Sequence, residues 1–337
     1  MTWFTWRQFR TQSWIALAGL AVVAVVLLIN GHALTELYAS TGAATCHADC
    51  GTALNAFLDA AGKTVSNRIY NFARAMMYVV PAIIGIFWGA PLIARELETG
   101  TYRLVWNQSV TRTRWLATKL AGIGLASVAT MGILSFAVTA WAHHIDHASN
   151  NRILPDVYIT RGIVPVAYAA FAFAVGVTAG MLIRRTVPAM ATTLVVYVAA
   201  VVSIPLVRAN LVPMTTVNRP LSMNGLDMMI IIGADGRGGS MQVSGSGGPP
   251  GAWVLSNRTI TTAGHVFTGP ANPQYCGPTH GPQECQNWLG TLGLRQVIRY
   301  QPVSHFWPMQ WAETGIFVAV ALLLVGFCFW WTRRRLV

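Results

Sequence analysis

The sequence predicts an all-α polytopic membrane protein with six transmembrane helices and an extracytoplasmic insertion between helices 5 and 6. Three observations predict it. Of 337 residues, 54% are hydrophobic and only 10% charged, with mean hydropathy +0.48, whereas a soluble domain carries about 25% charged residues. Six apolar runs approach the length of about 20 residues that a helix needs to cross a hydrocarbon core of about 30 Å. Clusters of arginine occupy alternate connections between those runs, as the positive-inside rule requires of cytoplasmic segments.

Residues 1–13 mix Trp3, Phe4, Trp6 and Phe9 with Arg7 and Arg10, the composition of an amphipathic segment lying along a membrane surface. The first transmembrane run is Trp14 to Ala33. A secretory signal would also be apolar, but this run is long and no small-residue cleavage site follows it, so it reads as a retained helix. Residues 34–74 form an outer loop, and Ala75 to Ala94 the second helix, interrupted by Pro81 and Pro91. A cytoplasmic loop, 95–119, leads to the third helix, Leu120 to Ala142. Residues 143–161 return outside. Gly162 to Ile183 and Val187 to Val207 are the fourth and fifth helices, with Pro165 and Pro205 expected to kink them. After the segment 208–313 outside, Thr314 to Thr332 crosses a sixth time, so that 314–337 comprises a helix and a basic tail, Arg333, Arg334 and Arg335. Both termini are then cytoplasmic.

The formal net charge of +12 does not point to nucleic acid, because the basic residues are spread around the spans rather than gathered in one domain. Cysteine usage agrees with the orientation. Cys46 and Cys50 fall in the first outer loop, Cys276 and Cys285 in the insertion, and Cys328 inside the last helix. Pairs in an oxidising compartment read as disulfides, and the local pairs are the simplest of three pairings. Ionisable groups cost about 2.5–3.5 kcal/mol at the bilayer centre. Lys119 is placed to snorkel, Arg74 and Glu313 sit at outer ends, and no carboxylate is placed near the midplane, which argues against ion-coupled transport.

Several patterns suggest sites. Gly62-Lys63-Thr64 matches the end of a phosphate-binding G-x-x-x-x-G-K-[ST] loop, but Phe57 stands where the first glycine is needed, so nucleotide chemistry is expected on a partner. His143, His144, Asp146 and His147, with Cys46-His47-Ala48-Asp49-Cys50, offer metal-ligand chemistry, but the spacing matches no closed site, and no metal is assigned. Gly85 with Gly89, and Gly176 with Gly180, have the four-residue spacing that lets membrane helices approach closely. In the insertion, Gly233 to Gly251 reads as an irregular excursion, with ordered structure resuming at Trp253 and a helical spacing over Asn287 to Tyr300.

The stretch Arg95-Glu96-Leu97-Glu98-Thr99-Gly100-Thr101-Tyr102-Arg103-Leu104, continuing through Asn107-Gln108-Ser109-Val110-Thr111-Arg112-Thr113-Arg114 to Lys119-Leu120, resembles the loop after the second helix in permeases of the type-2 ATP-binding-cassette exporter superfamily. The stretch from Tyr300-Gln301-Pro302 through Phe306-Trp307-Pro308 to Thr314-Gly315 is similar to the approach to the last helix in actinobacterial members. The resemblance implies a permease subunit in a bacterial cell membrane, two copies per complex, and cytoplasmic ATPase subunits that hold ATP and Mg, with no cofactor on this chain. Membrane lipid is the remaining partner.

In that setting Arg95 to Arg114 reads as a short helix along the inner membrane surface, with Glu96 and Glu98 near its start. Arg95, Glu96, Glu98, Thr99, Gly100, Thr101, Tyr102, Arg103, Arg112 and Arg114, with Arg184 and Arg185, are the candidate ATPase-coupling residues. The cargo reads as amphipathic, whether small molecule, lipid or peptide. The alternatives are an ATPase-coupled sensor or assembly scaffold with an outer receptor domain, and a membrane-embedded metal-binding enzyme at the outer histidines.

Overall fold

Apolar residues in runs of this length leave the backbone no partner except itself, so they fold as helices. Among the described residues, six long apolar helices form: Phe9–Ser40, Val65–Thr99, Arg112–Trp141, Val164–Ile183 and Thr186–Arg208, and the sixth span, Phe306–Arg334. The computed structural model describes every residue except 1, 48, 102–110, 223–226, 231–240, 246, 270, 271, 273, 277–281 and 335–337. It divides into two compact units, Met1–Leu211 with Phe306–Val337, and Val212–His305.

In the first unit the fourth span is the hub. Its sequence is apolar or small on every face, and Tyr168, Phe173, Val177 and Met181 are all buried, as expected of a helix surrounded by others. The first and fifth spans instead expose large side chains such as Leu28 and Leu206, which suits a lipid boundary. The two glycine pairs meet each other. A Cβ on Gly176 would stand 2.4 Å from the Gly85 carbonyl oxygen, and one on Gly89 would stand 2.6 Å from that of Phe173. The second and fourth spans are therefore in backbone contact.

Between Pro81 and Pro91 the second span widens into a π-helix, Ile84–Gly89. Pro91 has no N–H to give to the carbonyl four residues earlier, that of Phe87. That oxygen accepts from Gln12 Nε2 of the first span at 3.2 Å, and the Tyr78 carbonyl accepts from Tyr197 Oη of the fifth at 2.8 Å. Pro165, expected to kink the fourth span, instead lies in its first turn, where a missing N–H costs nothing.

Two further expectations are corrected in this unit. The N-terminal segment is not separate: Thr2–Ser40 is one helix, of about 58 Å at 1.5 Å per residue, and Phe9 packs on Trp88 with ring centroids 4.9 Å apart. The loop 34–74 is largely helical, with Gly51–Lys63 preceding a second span that begins at Val65. In it Phe57 is core, and the Thr64 hydroxyl caps the next helix by accepting from Ser66 N, so Gly62-Lys63-Thr64 is a helix junction. Cys46 and Cys50 are bonded there.

The second unit is built on a three-stranded antiparallel sheet. Its order is β1 (Thr215–Pro220), β5 (Arg295–Gln301), β4 (Trp253–Ile260), while β2 (Asp227–Ile230) pairs with β3 (Met241–Ser244). Ile298 faces Val217 on one side and Asn257 on the other. A core of Leu221, Met241, Val243, Leu289 and Leu294 includes Cys285, bonded to Cys276. The helix expected over Asn287 to Tyr300 is a helix only to Thr291. Gly293, at φ +61°, turns the chain, and Arg295–Gln301 continues as a strand whose Gln296, Ile298 and Tyr300 are buried in alternation. The excursion expected over 233–251 contains the strand Met241–Ser244, so described structure begins there before Trp253, and 233–240 lie outside the described residues.

Candidate functional site

The resemblance directs attention to the arginine-rich end of the bundle, where the second, third, fourth and fifth spans meet. The second span does not hand over to a separate surface helix at Arg95. It continues to Thr99 and stops at Gly100, whose φ of +72° is the left-handed conformation that ends helices. Glu96 and Glu98 therefore sit in its last turns, correcting the expectation that they begin a new helix. Thr99 Oγ1 bonds back to the Arg95 carbonyl at 2.8 Å and lies 3.1 Å from Thr101 Oγ1. Tyr102 and Arg103 lie outside the described residues. The third span restarts at Arg112, capped by Thr111, whose hydroxyl accepts from Arg114 N at 3.3 Å.

Two glutamates two positions apart do different things. Glu96 is buried and paired with Lys119 of the third span, which also reaches the Leu92 carbonyl at 3.5 Å. Lys119, expected to snorkel, is instead buried and fixed between two spans, with its ammonium 5.1 Å from the Trp115 ring centroid. Glu98 points elsewhere. The fourth span ends with Arg184 in the left-handed conformation, and Arg185 is extended at the N-cap of the fifth. Arginine has no acceptor and cannot cap a helix. Glu98 supplies the cap from the second span, its Oε2 accepting from Thr186 N at 3.0 Å and from Thr186 Oγ1 at 2.7 Å. A carboxylate there also meets the positive end of the helix dipole.

Beside these groups a pocket of about 410 Å³ opens between the first three spans. Phe9, Phe87 and Trp88 give it aromatic walls, and Gln12, Arg95 and Glu96 polar ones. It can accept a molecule with both an apolar and a charged part. Arg114 is exposed on the same end of the bundle.

The opposite end carries groups whose pairing the sequence reading did not foresee. Arg208, at the end of the fifth span, gives Nε and Nη2 to Glu313 of the sixth at 2.8 and 3.0 Å, and Tyr168 of the fourth donates to the same carboxylate. Arg161 pairs with Asp146 at 2.6 and 3.2 Å, and Tyr70 donates to Asp146 at 2.9 Å. Gln310 Oε1 accepts from the amides of Ile163 and Val164 at 3.0 and 3.1 Å, capping the fourth span from the sixth. All these side chains are buried. For Arg208 and Glu313 the sequence signal was opposite charge at the ends of spans flanking one insertion.

The histidine cluster is placed on the helix His143–Ser149. Asp146 is held by Arg161 and Tyr70, so it is turned away from metal ligation. His144 lies against Tyr38, with ring centroids 4.8 Å apart. Burial, and then His143 and His147, lower its pKa below the usual histidine range. Among the described residues no three His, Cys, Asp or Glu side chains converge as a metal site.

No curated protein and no solved structure matches the chain. A family model does: ABC-2 membrane transporter related, over residues 17–208. That match covers more than half of the chain and takes in the first five spans, the glycine crossing, and the turn in which Glu98 caps Thr186. This chain belongs to the ABC-2 membrane transporter related family, as a multi-pass permease.

Proposed function

We propose that the chain is the membrane subunit of an exporter in a bacterial cell membrane, acting as two copies with cytoplasmic ATPase subunits that hold ATP and Mg²⁺. The arginine-rich end then faces the cytoplasm, with both termini, and the insertion lies outside. The observation that carries the coupling is the Glu98 to Thr186 cap. A push on the connection after Gly100 moves the end of the second span, and the cap transmits it to the start of the fifth. The second span also lies backbone to backbone on the fourth through the glycine crossing, so the displacement reaches the hub. Cargo is an amphipathic small molecule, lipid or peptide, which suits a pocket walled by both Trp88 and Arg95.

The experiment is transport in vesicles containing the chain and its ATPase. Glu98→Ala removes the cap, and is expected to lower transport at least about tenfold while ATPase association and membrane insertion persist. Transport at the level of the unaltered protein would overturn the coupling role. The folded insertion, with its own sheet and disulfide, favours a second reading, a sensor or assembly scaffold that also binds an ATPase. Vesicles that hydrolyse ATP and move no cargo would favour that reading.

A further inference from the structure

A second cavity, of about 430 Å³, is a groove on the bundle surface between the third and sixth spans, and its lining has no polar side chain. Along the third span it runs from Ala117 to Val128, and along the sixth from Val318 to Phe329. Each wall is eleven residue steps, about 16 Å of helix rise, which matches half of a hydrocarbon core of about 30 Å. The groove is one leaflet deep. Its floor is Phe173 of the fourth span, and the absence of a side chain at Gly124 preserves its depth, because a Cβ there would press on the Phe173 ring at 3.2 Å.

The two walls end alike. One turn beyond Ala117 the third span carries Arg114, and one turn beyond Phe329 the sixth carries Arg333, both exposed. The helical spacing of three and four residues keeps each arginine on the face that borders the groove. An apolar slot of leaflet depth, with an exposed arginine one turn beyond the same end of each wall, is complementary to an acyl chain beneath an anionic phosphate, which arginine binds in bidentate fashion.

We infer that this groove binds one phospholipid with a net negative headgroup, its acyl chain between the third and sixth spans and its phosphate between Arg114 and Arg333. Naming the leaflet as cytoplasmic rests on the sidedness proposed above. The binding itself does not, and it is read without ATPase or cargo.

The test uses the full chain, delipidated in detergent and titrated with dioleoylphosphatidylglycerol or dioleoylphosphatidylcholine, with bound lipid counted by native mass spectrometry. One phosphatidylglycerol per chain is expected, bound about thirtyfold less tightly by Arg114→Gln with Arg333→Gln, at about a fivefold loss per surface arginine. Ala121→Trp, at an exposed position on the groove wall, is expected to abolish that binding with the melting temperature unchanged. Equal affinity of the unaltered chain for the two lipids, or an unchanged phosphatidylglycerol affinity in the double arginine variant, would overturn the assignment. So would an Ala121→Trp chain that keeps its lipid but loses self-association, since the groove would then be an interface between copies.

Discussion

The two ends of the membrane unit solve the same problem with different materials. Each has a helix N-terminus capped by a side chain from another span: Gln310 caps the fourth span at the end bearing the insertion, and Glu98 caps the fifth at the arginine-rich end. Gln310 is fully buried, and two buried Arg–carboxylate pairs surround it, whereas Glu98 is exposed and shares its end with one buried pair and an open pocket. A buried network holds one arrangement, because breaking any member strands a charge. An exposed cap is screened by solvent and contributes little, so it can be remade at low cost. In the coupling proposed above, the difference makes one end the pivot and the other the part that moves.

The comparison is attacked most severely at the pivot. Arg208→Ala would leave Glu313 buried without its cation, and a loss of about 3–5 kcal/mol is expected, read as a lower melting temperature in detergent. Replacing both partners, Arg208→Met with Glu313→Leu, is expected to restore most of it, since apolar side chains do not need the pair. A single variant as stable as the parent would remove the pivot from this account.

The helix crossing comes next. Gly176→Val places atoms where the Gly85 carbonyl oxygen already lies, and overpacking of that kind costs about 1–3 kcal/mol. Gly122→Ala is the control, since no atom lies within 4 Å of the added Cβ. The crossing is sound if the first variant melts lower and the second does not. Equal melting temperatures would mean that the second and fourth spans are not held by contact at these glycines.

The smallest expected effect on stability is at the moving end. Glu98→Ala should leave the melting temperature almost unchanged, because the exposed carboxylate is screened by solvent, although transport is expected to fall sharply. Glu96→Ala, two residues away, should cost more, because Lys119 would remain buried without its carboxylate. If the two variants lost the same stability, the contrast between an exposed cap and a buried pair at this end would fail.

How much of this was legible in the sequence follows from the range of the interactions. Six spans and the close glycine spacing are properties of single segments, so length and i,i+4 pattern reveal them. The local disulfides are likewise near in sequence. Arg208 and Glu313 are 105 residues apart, and nothing in either neighbourhood names the other. Glu98 to Thr186 is hidden for the same reason, although Arg185 at an N-cap position was a clue that the cap must come from elsewhere. The helical spacing over Asn287 to Tyr300 comes from Trp288, Leu292 and Val297, and its second half falls on the strand Arg295–Gln301. Gly293 was the stop signal between two elements, and past it the period changes to two.

The central claim is that the ends of the second and fifth spans move as one body while the opposite end stays fixed, and amide hydrogen exchange measures it directly. With the ATPase bound, adding ATP is expected to change exchange together over 95–99 and 186–190, and to leave 155–161 unchanged. In Glu98→Ala only 95–99 should still respond. A response at 155–161 as large as at 186–190, or a 186–190 segment that responds to ATP equally with and without Glu98, would contradict it.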